Sequence, residues 1–219
     1  MAEIVRIERQ ILKKNDEIAA ENRNLFLENK LFVFNLLSSP GSGKTSLLEK
    51  TLEKMHEKHR IAVIEGDVQT DLDAQRISKY PVPVIQIVTK GGCHLEASLI
   101  QNALPNFKLN ELDLLIIENV GNLVCPSNYD LGENTKVVVV STTEGDDKPL
   151  KYPNMFRVAD VMVINKIDLL PFVDFDLKTV KTNALSINPD LLIFETSCRT
   201  GEGIHEWVQW LEEQIQVKG

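Results

Sequence analysis

The sequence predicts an α/β fold: a doubly wound, mostly parallel sheet with helices on both faces, preceded by a helical amino-terminal arm. Three observations carry that expectation. Seven short apolar runs rich in β-branched residues recur along the chain, with stretches of helical character between most of them. Runs of that kind are the pattern of parallel strands buried on both sides. The first run leads directly into a Gly-rich segment and then a helix, the strand–loop–helix order of a phosphate-binding motif. Finally, 219 residues suit one α/β domain of ordinary size, with little left for a second.

The arm, residues 1–30, comes first. Ile4, Ile11, Ile18 and Leu25 recur every seven positions with Ile7 beside them, while Glu, Lys, Arg and Asn fill the other faces. Such a helix either packs its stripe on the domain or docks a partner, because Lys14 and Glu21 stand where a coiled-coil seam would be completed. The domain then occupies 31–219. Its strands are expected at 31–37, 61–64, 84–88, 114–117, 137–140, 161–164 and 191–194, and its helices at 45–57, 72–79, 95–103 and 175–187, closing with 202–217.

Charge and cysteine usage narrow the function classes. With 24 Lys+Arg against 32 Asp+Glu the net charge is −8, which excludes a basic protein that coats nucleic acid. The start, Met1-Ala2-Glu3-Ile4, lacks the basic-then-apolar order of a signal peptide, and the run at 31–37 is interrupted by Asn35 and too short to span a bilayer. A cytoplasmic protein without membrane contact is expected. Three cysteines, an odd and sparse set, exclude a secreted disulfide scaffold. Each must be a buried hydrophobe, a reactive thiol or a metal ligand.

The segment Ser38-Ser39-Pro40-Gly41-Ser42-Gly43-Lys44-Thr45-Ser46 matches the Walker A pattern in the required context. Gly41 and Gly43 let successive backbone N–H groups turn inward and form a nest for phosphate oxygens at a helix amino terminus. Lys44 adds a point charge for the outer phosphates, and Thr45 offers a hydroxyl to Mg²⁺. The pattern's first Gly is Ser38 here, at a position that mainly needs a tight turn. The fold is therefore expected to be that of a P-loop NTPase.

After the sixth apolar run stands Asn165-Lys166-Ile167-Asp168. The Asp168 carboxylate can accept from the ring N–H and exocyclic amine of guanine, which adenine cannot match. Asn165 can reach the other edge of the base, and the Lys166 stem can cover its face. Adenine would leave a buried carboxylate unpaired, which is the source of strong discrimination. Ser197-Cys198-Arg199 fits the loop that closes over guanine, Cys198 through its backbone. GTP or GDP with Mg²⁺ is thus the expected cofactor. The phosphate sensor falls at Glu118-Asn119-Val120-Gly121, with Glu where most GTPases carry Asp. Asp67, just past the second strand, is either a second carboxylate near Mg²⁺ or the attacking water, or a helix cap, since Asp71 and Asp73 follow closely.

Cys93 and His94 offer a thiolate and an imidazole side by side, a pair suited to Zn²⁺ or Ni²⁺, and Cys125 follows Gly121 by four residues. Three ligands are one short of a closed tetrahedral site. Water fills the fourth position, or a second copy of the chain shares its ligands across a two-fold axis. An open site of that kind suits metal transfer, and nucleotide-driven motion of 118–121 would be delivered four residues later to a metal ligand.

Taken together, Ser38 to Ser46, Cys93-His94, Glu118-Asn119-Val120-Gly121-Asn122, Cys125-Pro126, Ser141-Thr142-Thr143-Glu144-Gly145-Asp146-Asp147 and Asn165-Lys166-Ile167-Asp168 closely resemble the HypB family. These are hydrogenase nickel-incorporation GTPases of the SIMIBI class, related to urease accessory GTPases. The resemblance covers nearly the whole chain. It implies a slow, GTP-dependent homodimer that helps insert nickel into nickel–iron hydrogenase, with Cys93, His94 and Cys125 binding nickel or zinc at the dimer interface. It places Lys44, Thr45, Asp67 and Glu118 in the phosphate and Mg²⁺ region, implies contact between the amino-terminal helix and a partner nickel chaperone, and makes the hydrogenase large subunit the client. A urease-serving GTPase and a GTP-binding metal store without turnover are the alternatives. The urease relatives use a compact Cys-Pro-His motif that is absent here.

Overall fold

A computed structural model describes residues 2–67 and 72–218. The chain begins with helix α1 (Ala2–Glu28), then alternates strand and helix: β1 (Phe32–Ser38), α2 (Lys44–Met55), β2 (Ile61–Asp67), α3 (Leu72–Ile77), β3 (Val84–Val88) and α4 (Ala97–Ala103). The second half holds β4 (Leu114–Glu118), β5 (Thr135–Ser141), two short helices α5 (Lys148–Lys151) and α6 (Pro153–Val158), then β6 (Val161–Asn165), α7 (Leu177–Ile187), β7 (Leu192–Glu195) and α8 (Ile204–Lys218). The seven strands form one sheet in the order β3-β2-β4-β1-β5-β6-β7, every pair parallel. The chain steps from β4 to β5 across β1, so the loop after β1 stands at the point where strand order reverses. That is where open parallel sheets bind ligands, outside the carboxyl ends of their strands.

Alternate residues of the central strands point to opposite faces. Phe34, Leu36, Val63, Ile116, Val139 and Val163 pack under α2 and α8. There Trp207 is fully buried, meets Phe34 edge-on and donates its indole N–H to Thr51 Oγ1 at 2.9 Å. On the other face, Val33, Ile64, Leu115 and Ile117 pack under α1 and α4, and Val138, Val140, Met162 and Ile164 under α6 and α7. Full burial of each such side chain contributes roughly 1.5–3 kcal/mol. Among the described residues, no helix is long and apolar enough to cross a membrane.

Three expectations need correction. β3 and β7 are apolar but only half-buried, with Val88 and Leu192 exposed, because an edge strand has a neighbour on one side only. Helices α5 and α6 lie where none was expected. At four and six residues they are too short to carry a periodicity, and each is marked only by a Pro in its first turn. Third, α1 does pack on the domain, but not through its isoleucine stripe. Its buried positions are Asn15, Ala19, Asn22 and Phe26, while Ile18 and Leu25 are half-buried and Ile11 is exposed. The side chains of Ile4 and Ile7, like Asp71, lie outside the described residues.

The reason for that rotation is hydrogen bonding. Asn15 Nδ2 donates to the carbonyl of Asp130 at 2.8 Å while its Oδ1 accepts from Ala97 N–H at 2.9 Å. Asn22 Nδ2 donates to the carbonyls of Ala97 and Leu131 at 3.0 and 3.1 Å, and Arg23 pairs with Asp130. Buried backbone groups at the start of α4 and in the loop 130–132 need partners, and the two asparagines supply them. Gly132, at φ +93°, makes the close approach possible: a Cβ there would stand 2.6 Å from the Ala19 carbonyl.

Candidate functional site: a phosphate loop joined to a Cys–His–Cys cluster

All candidate residues gather at the carboxyl ends of the strands. Gly43, at φ +95°, ends the phosphate loop and caps α2. Ser38 lies within β1, buried and without a left-handed backbone, so its replacement of the pattern's first Gly strains nothing. Asn165, at the end of β6, is buried with both ends of its amide engaged. Nδ2 donates to the Ser42 carbonyl at 3.1 Å, and Oδ1 accepts from Lys166 N–H at 2.8 Å. A Cβ on Gly43 would meet that Nδ2 at 2.4 Å, so this glycine is fixed by Asn165 as well as by its own φ. Lys166, itself left-handed at φ +63°, donates from Nζ to the Gly41 carbonyl at 2.7 Å. The tetrapeptide Asn165-Lys166-Ile167-Asp168 therefore staples the phosphate loop.

Beside that staple opens a cavity of about 360 Å³ whose lining includes Gly43, Ser46, Asn165, Lys166, Asp168 and Cys198. Asp168 accepts from the Ser197 hydroxyl at 2.6 Å, which orients its carboxylate. Cys198 contributes its backbone, its N–H lying 3.4 Å from Asn165 Oδ1, and burial pushes its thiol up to about 11. That sulfur stays protonated at neutral pH.

Glu118, at the end of β4, is buried. Its Oε1 accepts from Thr45 Oγ1 at 2.8 Å and lies 3.7 Å from Lys44 Nζ. It stands opposite Glu65 in the β2–β4 register, and a carboxylate oxygen from each of Glu65, Asp73 and Glu118 falls within 4.8 Å of the others. Burial, then the facing Glu118, pushes Glu65 up to about 10, and burial also raises Glu118. One oxygen of Glu65 and one of Glu118 are buried without a hydrogen-bond partner. Orphaned carboxylate oxygens beside the Thr45 hydroxyl are a hard, oxygen-only donor set that fits Mg²⁺. Asp67, at the end of β2, is not one of that trio. Gly121 abuts the phosphate loop, where a Cβ would meet Pro40 at 3.3 Å.

The acidic loop after β5 acts on the phosphate loop too. Glu144 accepts from Ser39 and Ser42 hydroxyls and from Ser141 N–H, and Lys148 Nζ lies 3.0 Å from both Glu144 and Ser39. Burial opposes ionisation of Glu144, but the bonds from Ser39, Ser42 and Lys148 outweigh it and hold the carboxyl below its usual range. Sequence reasoning gave this loop no role, and it missed Glu65 and Asp73. A Glu directly following the apolar run 61–64 was the available signal for Glu65.

Cys93 and Cys125 are brought together across 32 positions of sequence, Sγ to Sγ 2.7 Å, with His94 Nδ1 3.6 Å from Cys93 Sγ. One ligand atom from each of the three lies within 4.8 Å of the others. The His94 ring stacks on Tyr129 at 3.9 Å, and its buried Nε2 has no hydrogen-bond partner, Glu96 standing 3.6 Å away. The hydrogen bond with Cys125, followed by burial, raises the Cys93 thiol. Two soft sulfurs and an imidazole fit Zn²⁺ or Ni²⁺. Asn122 Nδ2 donates to the Cys93 carbonyl at 3.4 Å, so the segment leaving β4 touches both sites.

Comparison with known proteins finds the same fold and related sequences. Residues 32–195 match the model of the CobW/HypB/UreG nucleotide-binding domain. The chain is 54% identical over 211 residues to the hydrogenase maturation factor HypB of Azotobacter vinelandii, covering 96% of this chain and 70% of that protein. The crystal structure of HypB from Archaeoglobus fulgidus superposes with a TM-score of 0.87 at 41% identity, covering 93% of this chain and 99% of that one. That of HypB from Helicobacter pylori in complex with nickel superposes at 0.88 and 42% identity, covering 93% and 95%.

Proposed function

The chain belongs to the HypB hydrogenase maturation factors of the CobW/HypB/UreG nucleotide-binding family, and on that premise we propose that it is a GTP-hydrolysing metallochaperone. It binds nickel or zinc at Cys93, His94 and Cys125 and assists nickel insertion into nickel–iron hydrogenase. One observation carries the reading. A single eight-residue segment, 118–125, begins at the Thr45 hydroxyl, passes Gly121 against Pro40, and ends in a metal ligand. The nickel in the crystal of the Helicobacter pylori relative supports nickel as cargo.

In this reading residues 31–219 form the GTPase domain, and 1–30 are its arm. The backbone N–H groups of 40–46 cradle the phosphates, and Lys44 exchanges its pairing with Glu118 for the outer phosphate oxygens. Asp168, oriented by Ser197, accepts from guanine, while Asn165 and Lys166 act by fixing the loop and covering the base. Mg²⁺, when bound, supplies neutralising charge at the phosphates. Thr45 and Glu118 would hold it, with the carboxylates of Glu65 and Asp73 beside Glu118, and Asp67, at the end of β2, is assigned to its outer shell or the attacking water. Positioning and charge do the catalytic work. The three-ligand metal set is completed in a homodimer that depends on nucleotide and metal. Ile11 and Leu27, exposed on α1, are the apolar positions offered to a nickel-chaperone partner, and the hydrogenase large subunit is the client.

Light scattering with and without a non-hydrolysable GTP analogue, with metal content measured on the same sample, tests the coupled reading. A metal-carrying dimer that forms with the analogue is expected. A metal-free monomer under all conditions would reduce the protein to a plain nucleotide binder. Asp168→Asn should weaken GTP binding and favour xanthosine nucleotides, and an unchanged preference for GTP would sink the base assignment.

A further inference from the structure

We propose that Asn119 is a positioning residue that couples the nucleotide site to the Cys93–His94–Cys125 cluster; this rests on the function proposed above. Asn119 directly follows Glu118, is 2% exposed, and has its backbone N–H and both ends of its side-chain amide hydrogen-bonded. Its backbone N–H donates to the Leu36 carbonyl at 3.0 Å, two residues ahead of the phosphate loop. Its side-chain Oδ1 accepts from Val120 N–H at 2.9 Å and from Leu95 N–H at 3.2 Å. Leu95 is the residue after His94. Its side chain is fully buried against Gly66 of β2, where a Cβ would come within 2.7 Å of Leu95 Cδ1.

The other end of the amide is held as firmly. Asn119 Nδ2 donates to Asn35 Oδ1 at 3.3 Å, and Asn35, fully buried in β1, donates to Glu133 Oε1 at 3.0 Å. Glu133 in turn accepts from Leu131 N–H at 2.7 Å, and the Leu131 carbonyl receives Asn22 of α1. From Asn119, therefore, one hydrogen bond reaches the metal loop, and a second line runs through Asn35 and the Glu133 carboxylate to the amino-terminal helix.

The physical consequence concerns what can move independently. If 118–121 shifts when the phosphate it senses is present or absent, Asn119 shifts with it. Either the Leu95 N–H follows, carrying His94 and Cys93, or a buried donor is left unpaired. Rotating the Asn119 amide instead would uncouple it from Asn35 and turn an N–H₂ toward two donors. The arrangement therefore ties the position of the Leu95 N–H to that of Asn119, a physical contact through which one site can bias the other. Any such coupling is reciprocal, so metal binding changes nucleotide affinity by the same factor.

The test measures Ni²⁺ and Zn²⁺ dissociation constants in the full chain with GDP and with a non-hydrolysable GTP analogue, before and after Asn119→Ala. The wild-type ratio should depart from one by about 5- to 150-fold, the usual span of such couplings. In Asn119→Ala, with each nucleotide held at saturation and one metal still bound per chain, it should fall to within about twofold of one, the limit in which a ligand no longer discriminates the two states. A variant that keeps the wild-type ratio overturns the proposal, as does a wild-type ratio of one in a chain that binds both ligands. A wild-type chain that binds no metal or no guanine nucleotide overturns the proposed function itself, and the coupling with it. Should Asn119→Ala fail to fold, exchange of the Leu95 amide in the wild-type chain decides. Protection that differs between the two nucleotide states supports the role of Asn119, and equal protection refutes it.

Discussion

Replacing Glu65 by Gln tests the most unusual pairing in the molecule. Glu65 is 2% exposed and faces Glu118 in the β2–β4 register, with one oxygen lacking a partner. Burial first, and the neighbouring Glu118 second, lift its pKa from 4.5 to about 10. Between those values the unfolded chain holds Glu65 ionised and the folded chain holds it protonated. Folding therefore takes up a proton, and stability falls as pH rises through that window. One such group contributes roughly 1 kcal/mol per pH unit, hence roughly 2–3 kcal/mol between pH 6 and pH 8. Gln fills nearly the same volume, cannot ionise, and carries no slope of this origin. The stability of Glu65→Gln relative to wild type should therefore rise by roughly 2–3 kcal/mol across those two pH values. Urea unfolding followed by the fluorescence of Trp207 and Trp210, with EDTA present to remove divalent cations, reads this as a midpoint shift of about 1 M for an m-value near 2–3 kcal/mol/M. An equal stability difference at pH 6 and pH 8 would mean that Glu65 is ionised in the folded chain, and would refute the reasoning.

Other expectations follow from the same geometry. Cys93→Ala and Cys125→Ala should each abolish stoichiometric binding of Ni²⁺ or Zn²⁺, and full occupancy by titration calorimetry in either variant would exclude the three-ligand site. Because Cys93 is held protonated by its bond to Cys125 and by burial, metal must displace that proton. The apparent affinity of the wild-type chain should rise about tenfold per pH unit for each proton released. Glu144→Gln should lower stability at pH 7 by about 1.5–3 kcal/mol, the worth of hydrogen bonds to a charged group. Since the Glu144 pKa is depressed, that deficit is full above the unfolded value and shrinks as pH falls through the folded one, so chemical denaturation at pH 7 and pH 4 should give different gaps. Gly132→Ala places a Cβ 2.6 Å from the Ala19 carbonyl at a left-handed φ. It should loosen α1 and speed amide exchange at residues 15–26, and unchanged exchange there would show that the loop yields without disturbing the helix.

What the sequence made legible follows from which signals are local. The strands announced themselves as apolar runs, and the phosphate loop and Asp168 as motifs whose spacing is their chemistry. Cys93, His94 and Cys125 stood out because sulfur and imidazole are scarce in this chain. Glu65 did not, because its partner Glu118 is 53 positions away and meets it only through strand register, which no one-dimensional pattern records. Asn165 was legible as a motif but not as a clamp, since its direction depends on the Ser42 carbonyl in another loop. The stripe on α1 misled for a related reason. Isoleucines every seven residues are a stronger pattern than two asparagines, yet the asparagines answer backbone groups that only the folded loops expose.

The strand order also divides labour. The loops after β3 and β4, on one flank of β1, hold Cys93, His94 and Cys125; those after β6 and β7, on the opposite flank, hold Asp168 and Ser197. In the proposed function, recognition of the base and choice of the metal would thus sit in separate compartments of one chassis, with the shared phosphate loop between them. Substitutions in one compartment are expected to combine additively with those in the other unless they pass through residues 118–125. A descendant of this chain could exchange its cargo while keeping its fuel.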